Sequence, residues 1–232
     1  MASPFQAPHS GADLPVLGIL ASGRGSNARA ILEAAASGTL PARVGLVLSD
    51  NRDAPVLRMA GEFGVEGRFI DPGRPRARLT PEQETAYVEA LRERGVAWIC
   101  LAGFMRILGK PLLEAFPQRI LNIHPSLLPA FPGLHAQQQA LDHGVKTAGC
   151  TVHFVDEECD HGPIVLQASV TIFEGDTEES LSARILEQEH RIYPLAVQWL
   201  CEDRLEVVGG RVRVRGEQAD GPGSMLVPQG VD

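Results

Sequence analysis

Over the first half of the chain, short apolar runs alternate with segments whose apolar residues recur at helical spacing. Residues 14–21 are apolar and end at Ser22-Gly23-Arg24-Gly25-Ser26-Asn27, after which 28–36 reads as a helix. A second apolar run, 44–48, closes at Ser49-Asp50-Asn51 and precedes a helical 54–63. Phe69 and Ile70 form a short strand before a loop, 71–78, loaded with Pro, Gly and Arg. A helix is predicted over 81–94, with Thr80 as its N-cap and Pro81 at the first helical position. The run 96–102 is apolar without interruption, as strands buried on both faces are. Helical pieces and short apolar runs then alternate through Leu121. Such alternation signals βαβ units and a parallel sheet.

After residue 145 the pattern changes. Two strand-like runs, 147–155 and 163–172, flank a polar turn, 156–162, and predict an antiparallel hairpin. A long helix is predicted over 177–200, with Thr177 as a cap and Glu178, Glu179 and Ser180 in its first turn. A closing hairpin is expected over 205–214, around Gly209-Gly210. The expectation is one α/β domain over 14–215, with a mostly parallel, Rossmann-like sheet flanked by helices and an antiparallel C-terminal extension. Residues 1–13 read as a flexible lead and 216–232 as a polar tail. In such sheets ligands sit outside the carboxyl ends of the strands. The loops 22–27, 103–108 and 122–129 would converge there.

Composition narrows the classes. With 44% hydrophobic and 22% charged residues in 232, the chain can bury a full core, which argues against wholesale disorder. A net charge of −8 argues against a protein that grips a nucleic-acid backbone, yet leaves room for a small anionic ligand at local amides. Cys100, Cys150, Cys159 and Cys201 show no C-x-x-C spacing and read as small core residues in a reducing compartment. No targeting leader is evident, and no apolar run approaches the ~20 residues of a membrane helix. The expected location is the cytoplasm.

Three segments carry candidate chemistry. In the loop 22–27 the glycines let the backbone approach an anion, and Ser26 and Asn27 can donate to it or cap the helix that follows. A plain strand-to-helix turn, a mononucleotide phosphate site and a dinucleotide site all fit; Ala28 and Asp50 keep the last of these open. In 121–129, Asn122 and His124 are two apart, so an extended chain puts both side chains on one face. Pro125 biases His124 toward an extended conformation and stops the strand. A carboxamide donor beside an imidazole suits acyl transfer: the amide stabilises an oxyanion and the ring exchanges a proton near neutral pH. A lone histidine is more often structural, and the neighbouring asparagine at a strand end is what raises the catalytic reading. The third segment, 156–163, is acidic. Such runs are usually just solvated, and the spacing fits neither an EF-hand loop nor a zinc site. Alternatively one carboxylate, Asp160, folds over the pocket and pairs with a histidine, which would favour the imidazolium. His124, His153 and His161 compete as its partner. No G-x-S-x-G nucleophile elbow is present, which favours direct attack by a substrate nucleophile over an acyl-enzyme.

Taken together, Ser22–Asn27, 102–108 (Ala-Gly-Phe-Met-Arg-Ile-Leu), 121–129 (Leu-Asn-Ile-His-Pro-Ser-Leu-Leu-Pro), 131–135 (Phe-Pro-Gly-Leu-His) and the 156–167 loop and strand resemble the phosphoribosylglycinamide formyltransferase family. These are the folate-dependent glycinamide ribonucleotide transformylases of purine synthesis. The resemblance runs from Leu14 to about Leu205, five motifs in the family's order, and it displaces the dinucleotide reading. It implies transfer of a formyl group from 10-formyltetrahydrofolate, as cosubstrate, to the amine of glycinamide ribonucleotide. By that resemblance Gly25, Ser26 and Asn27 hold the ribonucleotide phosphate, and Glu189, in Gln188-Glu189-His190, binds its sugar or glycinamide. Met105, Arg106, Ile107 and Leu108, with Asp156, Glu157, Glu158 and Cys159, line the folate pocket. Asn122, His124 and Asp160 form the catalytic trio. It implies small-molecule partners only, no metal, no nucleic acid and no membrane, and a monomer or homodimer.

Two departures stand out. The family's arginine in a Ser-Arg-Glu stretch, used at the folate end, has no counterpart in Thr80-Pro81-Glu82-Gln83-Glu84; Arg76 and Arg78 lie earlier, in a longer loop. The lead and tail fall outside the family core. Among alternatives, a formyltetrahydrofolate deformylase would be expected to carry an N-terminal regulatory module and lack the glycine loop. A methionyl-tRNA formyltransferase would need a basic C-terminal domain. A non-catalytic nucleotide or folate sensor would bind both ligands without turnover.

Overall fold

The computed structural model describes residues 14–73 and 77–216. The alternation of strands and helices read above is realised as a seven-stranded sheet in the order β3-β2-β1-β4-β5-β6-β7, plus a separate two-stranded ribbon. Strands β1 (Val16–Leu20), β2 (Arg43–Ser49), β3 (Gly67–Phe69), β4 (Trp98–Leu101) and β5 (Ile120–His124) run parallel. Strands β6 (Thr147–Phe154) and β7 (Ile164–Thr171) extend the sheet by antiparallel pairing. The ribbon pairs β8 (Leu205–Val208) with β9 (Arg211–Val214).

Both faces of the parallel strands are covered, which is why β1 and β4 are apolar throughout. Along β1, Leu17 and Ile19 face one core, shared with α1 (Ser26–Ala36), α2 (Pro55–Glu62) and α6 (Glu178–Cys201). Val16 and Leu20 face the other, shared with α3 (Pro81–Glu93) and α4 (Lys110–Ala115). Gly18 makes room for α3: a Cβ there would sit 2.5 Å from the Leu91 side chain. The remaining helix, α5 (Ala136–Asp142), follows the Pro-rich exit from β5.

Local chemistry sets the helix starts. Thr80 and Gln83 form a reciprocal capping box at α3, and Thr177 and Ser180 form another at α6. Each satisfies two amide donors that a helix start leaves orphaned. In α6 the buried positions Leu181, Ile185, Gln188, Glu189, Ile192, Tyr193, Ala196, Val197 and Leu200 form one stripe at spacings of three and four. That stripe lies on α1 and on β5, β6 and β7. Helix α4 begins under a buried carboxylate: Glu84, on α3, accepts from the amides of Gly109 and Leu112.

The fold class is as expected, and element ends differ from the sequence reading by one or two residues. Residues 1–13, Arg74, Pro75, Arg76 and 217–232 lie outside the described residues, and with them the readings made for the lead, for Arg76 and for nearly all of the tail. Cys100 and Cys150 are buried and Cys201 is half-buried, all with free thiols. Cys159 departs from the core reading: it is exposed, in the turn after β6. Among the described residues no helix is long and apolar enough to cross a membrane.

Candidate active site

The sheet's connections reverse between β1 and β4, so their carboxyl ends open a crevice. The loop after β1 lines one side of it. Gly25 is the N-cap of α1, with φ 76°, and a Cβ there would lie 2.4 Å from Val56. Only glycine fits a left-handed position this crowded. Ser26 and Asn27 are the first residues of the helix, and neither side chain caps it. This corrects the capping reading: the first-turn amides have no side-chain acceptor and are available to an anion. Asn27 instead turns to α6, where its Nδ2 donates to Glu189 Oε2 at 2.6 Å. Both residues are buried. Burial holds the Glu189 carboxyl above its ordinary range, and the Asn27 hydrogen bond opposes that shift.

On the other side of the crevice lies the segment after β4. The Ser22 amide donates to Gly103 O at 3.0 Å, and the Met105 amide donates back to Ser22 Oγ at 2.8 Å, stitching the two loops together. Arg106 reaches the end of β2, where Nε donates to Asp50 Oδ2 at 2.6 Å in a largely buried ion pair. One oxygen of Asp50 is thus held by Arg106. The Met105 side chain is exposed, whereas Leu108 is buried in the α3–α4 core. A lining role for Leu108 therefore falls to its backbone. Its carbonyl accepts from Arg78 at 2.9 Å, and the Ile107 amide donates to Ala77 O. Arg78 was left open by the sequence; here it braces the segment, and only its place in a Pro/Gly/Arg loop hinted at it.

The side chains singled out on β5 meet the acidic turn from β6. Asn122 and His124 continue the row begun by Ile120, beyond the part of that face covered by α3 and α4. Asp160 comes over them with its carboxylate nearly buried. Its Oδ2 is 3.4 Å from His124 Nδ1, and its Oδ1 is 3.8 Å from His153 Nε2. The other ring nitrogen of His124 faces Phe131 O at 3.0 Å. Both nitrogens of His124 thus look at acceptors, and only the imidazolium can donate to both. Asn122 Nδ2 lies 3.1 Å from His153 Nε2. Of the three histidines competing for Asp160, His124 is nearest, His153 is shared with Asn122, and His161 pairs with Asp156 at 3.3 Å instead.

Backbone strain fixes this meeting. Asp160 has φ 55° and Phe131 has φ 54°, left-handed values that are uncommon outside glycine. Gly133 N donates to Asp160 Oδ2 at 2.8 Å, joining the two strained loops over His124. Gly162 lets the turn return to β7, because a Cβ there would strike Phe154 O. In the rest of the acidic turn, the Glu158 amide donates to Asp156 Oδ1 at 3.0 Å, and Glu157, Glu158 and Cys159 are exposed. Cys159 Sγ donates to Asp160 Oδ2 at 3.5 Å, and Arg78 lies within electrostatic reach of that thiol. Among the described residues no three His, Cys, Asp or Glu side chains are arranged to hold a metal ion.

The family model described as formyl transferase matches residues 17–197. Phosphoribosylglycinamide formyltransferase of Escherichia coli is 38% identical over 212 residues, spanning 91% of this chain and 96% of that one. The enzyme of the same name from Bacillus subtilis is 42% identical, over 78% of this chain and 92% of its own. Among solved structures, glycinamide ribonucleotide transformylase 1 from Symbiobacterium toebii superposes with a TM-score of 0.83 at 50% identity, covering 91% of this chain and 99% of that one. On the strength of the matched model, these full-length relatives and the shared architecture, the chain belongs to the formyl transferase family.

Proposed function

We propose that this chain transfers the formyl group of 10-formyltetrahydrofolate to the amine of glycinamide ribonucleotide, releasing formylglycinamide ribonucleotide and tetrahydrofolate. The observation that carries the reading is the approach of Asp160 to His124 at 3.4 Å, with Asn122 on the same strand, beside β4 and the 105–108 segment that follows it. The relatives' names supply the acceptor.

The geometry supports the roles that the resemblance implies. Gly25, Ser26 and Asn27 hold the ribonucleotide phosphate at the start of α1, where amides and helix dipole both favour an anion. Glu189, oriented by Asn27, receives the sugar or glycinamide end. The exposed Met105 side chain, the backbone of 106–108 and the 156–159 turn receive the folate. The acceptor amine then attacks the formyl carbon. Asn122 donates to the oxygen as it gains charge, the positive charge of the His124 imidazolium stabilises it electrostatically, and Asp160 balances the charge on His124. The amine's proton passes to the departing folate nitrogen, directly or through water, as the carbon–nitrogen bond breaks. Holding two substrates in line supplies much of the acceleration. The domain over 14–215 is the catalytic unit in this reading.

The test is the absorbance change on folate product release from 10-formyltetrahydrofolate, with and without glycinamide ribonucleotide. Release that depends on the ribonucleotide is the expected result. Release without any acceptor would make the chain a hydrolase, and binding of both ligands without release would make it a sensor.

A further inference from the structure

We infer that His153 is a positioning residue for Asn122: held as the Nδ1–H tautomer, it takes one N–H of the Asn122 carboxamide on Nε2 and so decides which end of that amide meets the formyl oxygen. The inference rests on the formyl-transfer reading for the task of Asn122. The tautomer itself rests only on the chain.

His153 on β6 stands directly opposite Asn122 on β5, so the two side chains rise from the same face of the sheet. Its Nδ1 lies 2.8 Å from Phe154 O. A carbonyl oxygen only accepts, so Nδ1 carries a hydrogen. The ring is 2% exposed, and burial is the largest influence on it, disfavouring the charged form. The charged groups facing it divide: Asp160 and Asp156 favour protonation, and His124 opposes it. A neutral ring with hydrogen on Nδ1 has a bare lone pair at Nε2. Of the two groups near that lone pair, Asp160 Oδ1 at 3.8 Å has no proton to give when ionised and lies beyond hydrogen-bond reach. Asn122 Nδ2 at 3.1 Å is a donor.

An asparagine amide has no intrinsic preference for one end over the other, because oxygen and nitrogen are nearly isosteric. The bare Nε2 removes that freedom. It engages one N–H, leaves the second for the oxyanion, and turns Oδ1 away. A protonated Nε2 would do the reverse. It would call Oδ1 toward the ring and swing the donor from its place, with no change in the backbone. The neighbouring histidines thus carry opposite protonation requirements: His124 is framed by two acceptors, and His153 by one acceptor and one donor.

Two measurements test this. In protein labelled with ¹⁵N-histidine at neutral pH, His153 should show a protonated Nδ1 and an unprotonated Nε2. An Nε2–H tautomer or an imidazolium would overturn the inference, and this readout needs no substrate. In turnover, His153→Leu should lower kcat about 10²-fold, the scale of one misdirected oxyanion donor, with KM for both substrates within a few-fold of wild type. His153→Gln, whose Oε1 can accept where Nε2 did, should recover most of the loss. In an Asn122→Ala background, His153→Leu should cost nothing further. An equal loss in both backgrounds, or an undiminished kcat, would overturn it. Should His153→Leu fail to fold, His153→Gln and the tautomer measurement still decide. A wild-type chain that transfers no formyl group would remove the proposed reaction while leaving the tautomer to the NMR result.

Discussion

The carboxyl ends of β1 and β5 serve the crevice with different parts of the chain. At β1 the work is done by backbone: a left-handed glycine, two residues that open a helix without capping it, and first-turn amides with no side-chain acceptor. At β5 it is done by side chains that belong to different elements. Asn122 and His124 come from the strand, His153 from its antiparallel neighbour, and Asp160 from a strained turn. The β1 end resembles a fixture, set by a few consecutive residues. The β5 end is an assembly, and its parts meet only once β6 has paired and two loops have joined through Gly133 and Asp160. A change at the first should cost affinity, and a change at the second should cost rate.

The largest expected effect breaks the β5 assembly. His124→Ala and Asp160→Ala should each lower kcat by on the order of 10²–10⁴ in the formyl-transfer assay. Near-wild-type turnover in either variant would sink the role given to that residue. At the β1 end, Glu189→Ala should weaken glycinamide ribonucleotide binding roughly 10–100-fold, the scale of a charge-assisted hydrogen bond. Titration calorimetry measures this directly, and an unchanged dissociation constant would count against the placement. Glu84→Ala touches neither end. It strips the acceptor from the Gly109 and Leu112 amides, and denaturant unfolding should show a loss of about 1–3 kcal/mol. Equal stability would mean that water replaces the carboxylate at no cost.

The smallest effect concerns pH. Burial raises the Glu189 carboxyl above its ordinary value of 4.5, so the native chain keeps a proton that the unfolded chain has released. This contribution favours folding at low pH and is lost as pH rises from 4.5 through the native value. Glu189→Gln should flatten that decline. Melting temperatures of variant and parent, followed from acid to neutral pH, would show the two curves converging toward low pH. Parallel curves would mean that the folded and unfolded carboxyls titrate alike.

The legible parts of the molecule were local. The capping boxes at Thr80 and Thr177 were partly visible as Thr followed by polar first turns, and both helices start where expected. The shared face of Asn122 and His124 followed from strand alternation alone. The partner of Asp160 did not, because three histidines fit the composition and only the β5–β6 register and the turn of the backbone at Asp160 separate them. Arg106 and Leu108 were grouped by motif, yet one side chain goes to Asp50 and the other into the core. Adjacent residues on an irregular segment point in directions that no period predicts.

The sequence by itself determined the alternation of strands and helices, the change to antiparallel pairing after residue 145, the glycine-shaped loop and the types of residue available for chemistry. These are consequences of short-range sterics and of apolar spacing, which neighbouring residues encode together. Only the tertiary structure decided that Asn27 turns to Glu189 across 162 positions, that Arg78 braces Leu108, and that His124 and His153 stand on either side of one carboxylate. Such contacts depend on which elements pack together and in what register. Hydrogen bonds a few ångströms long are set by that packing, and the order of residues along the chain does not contain their distances in any local form.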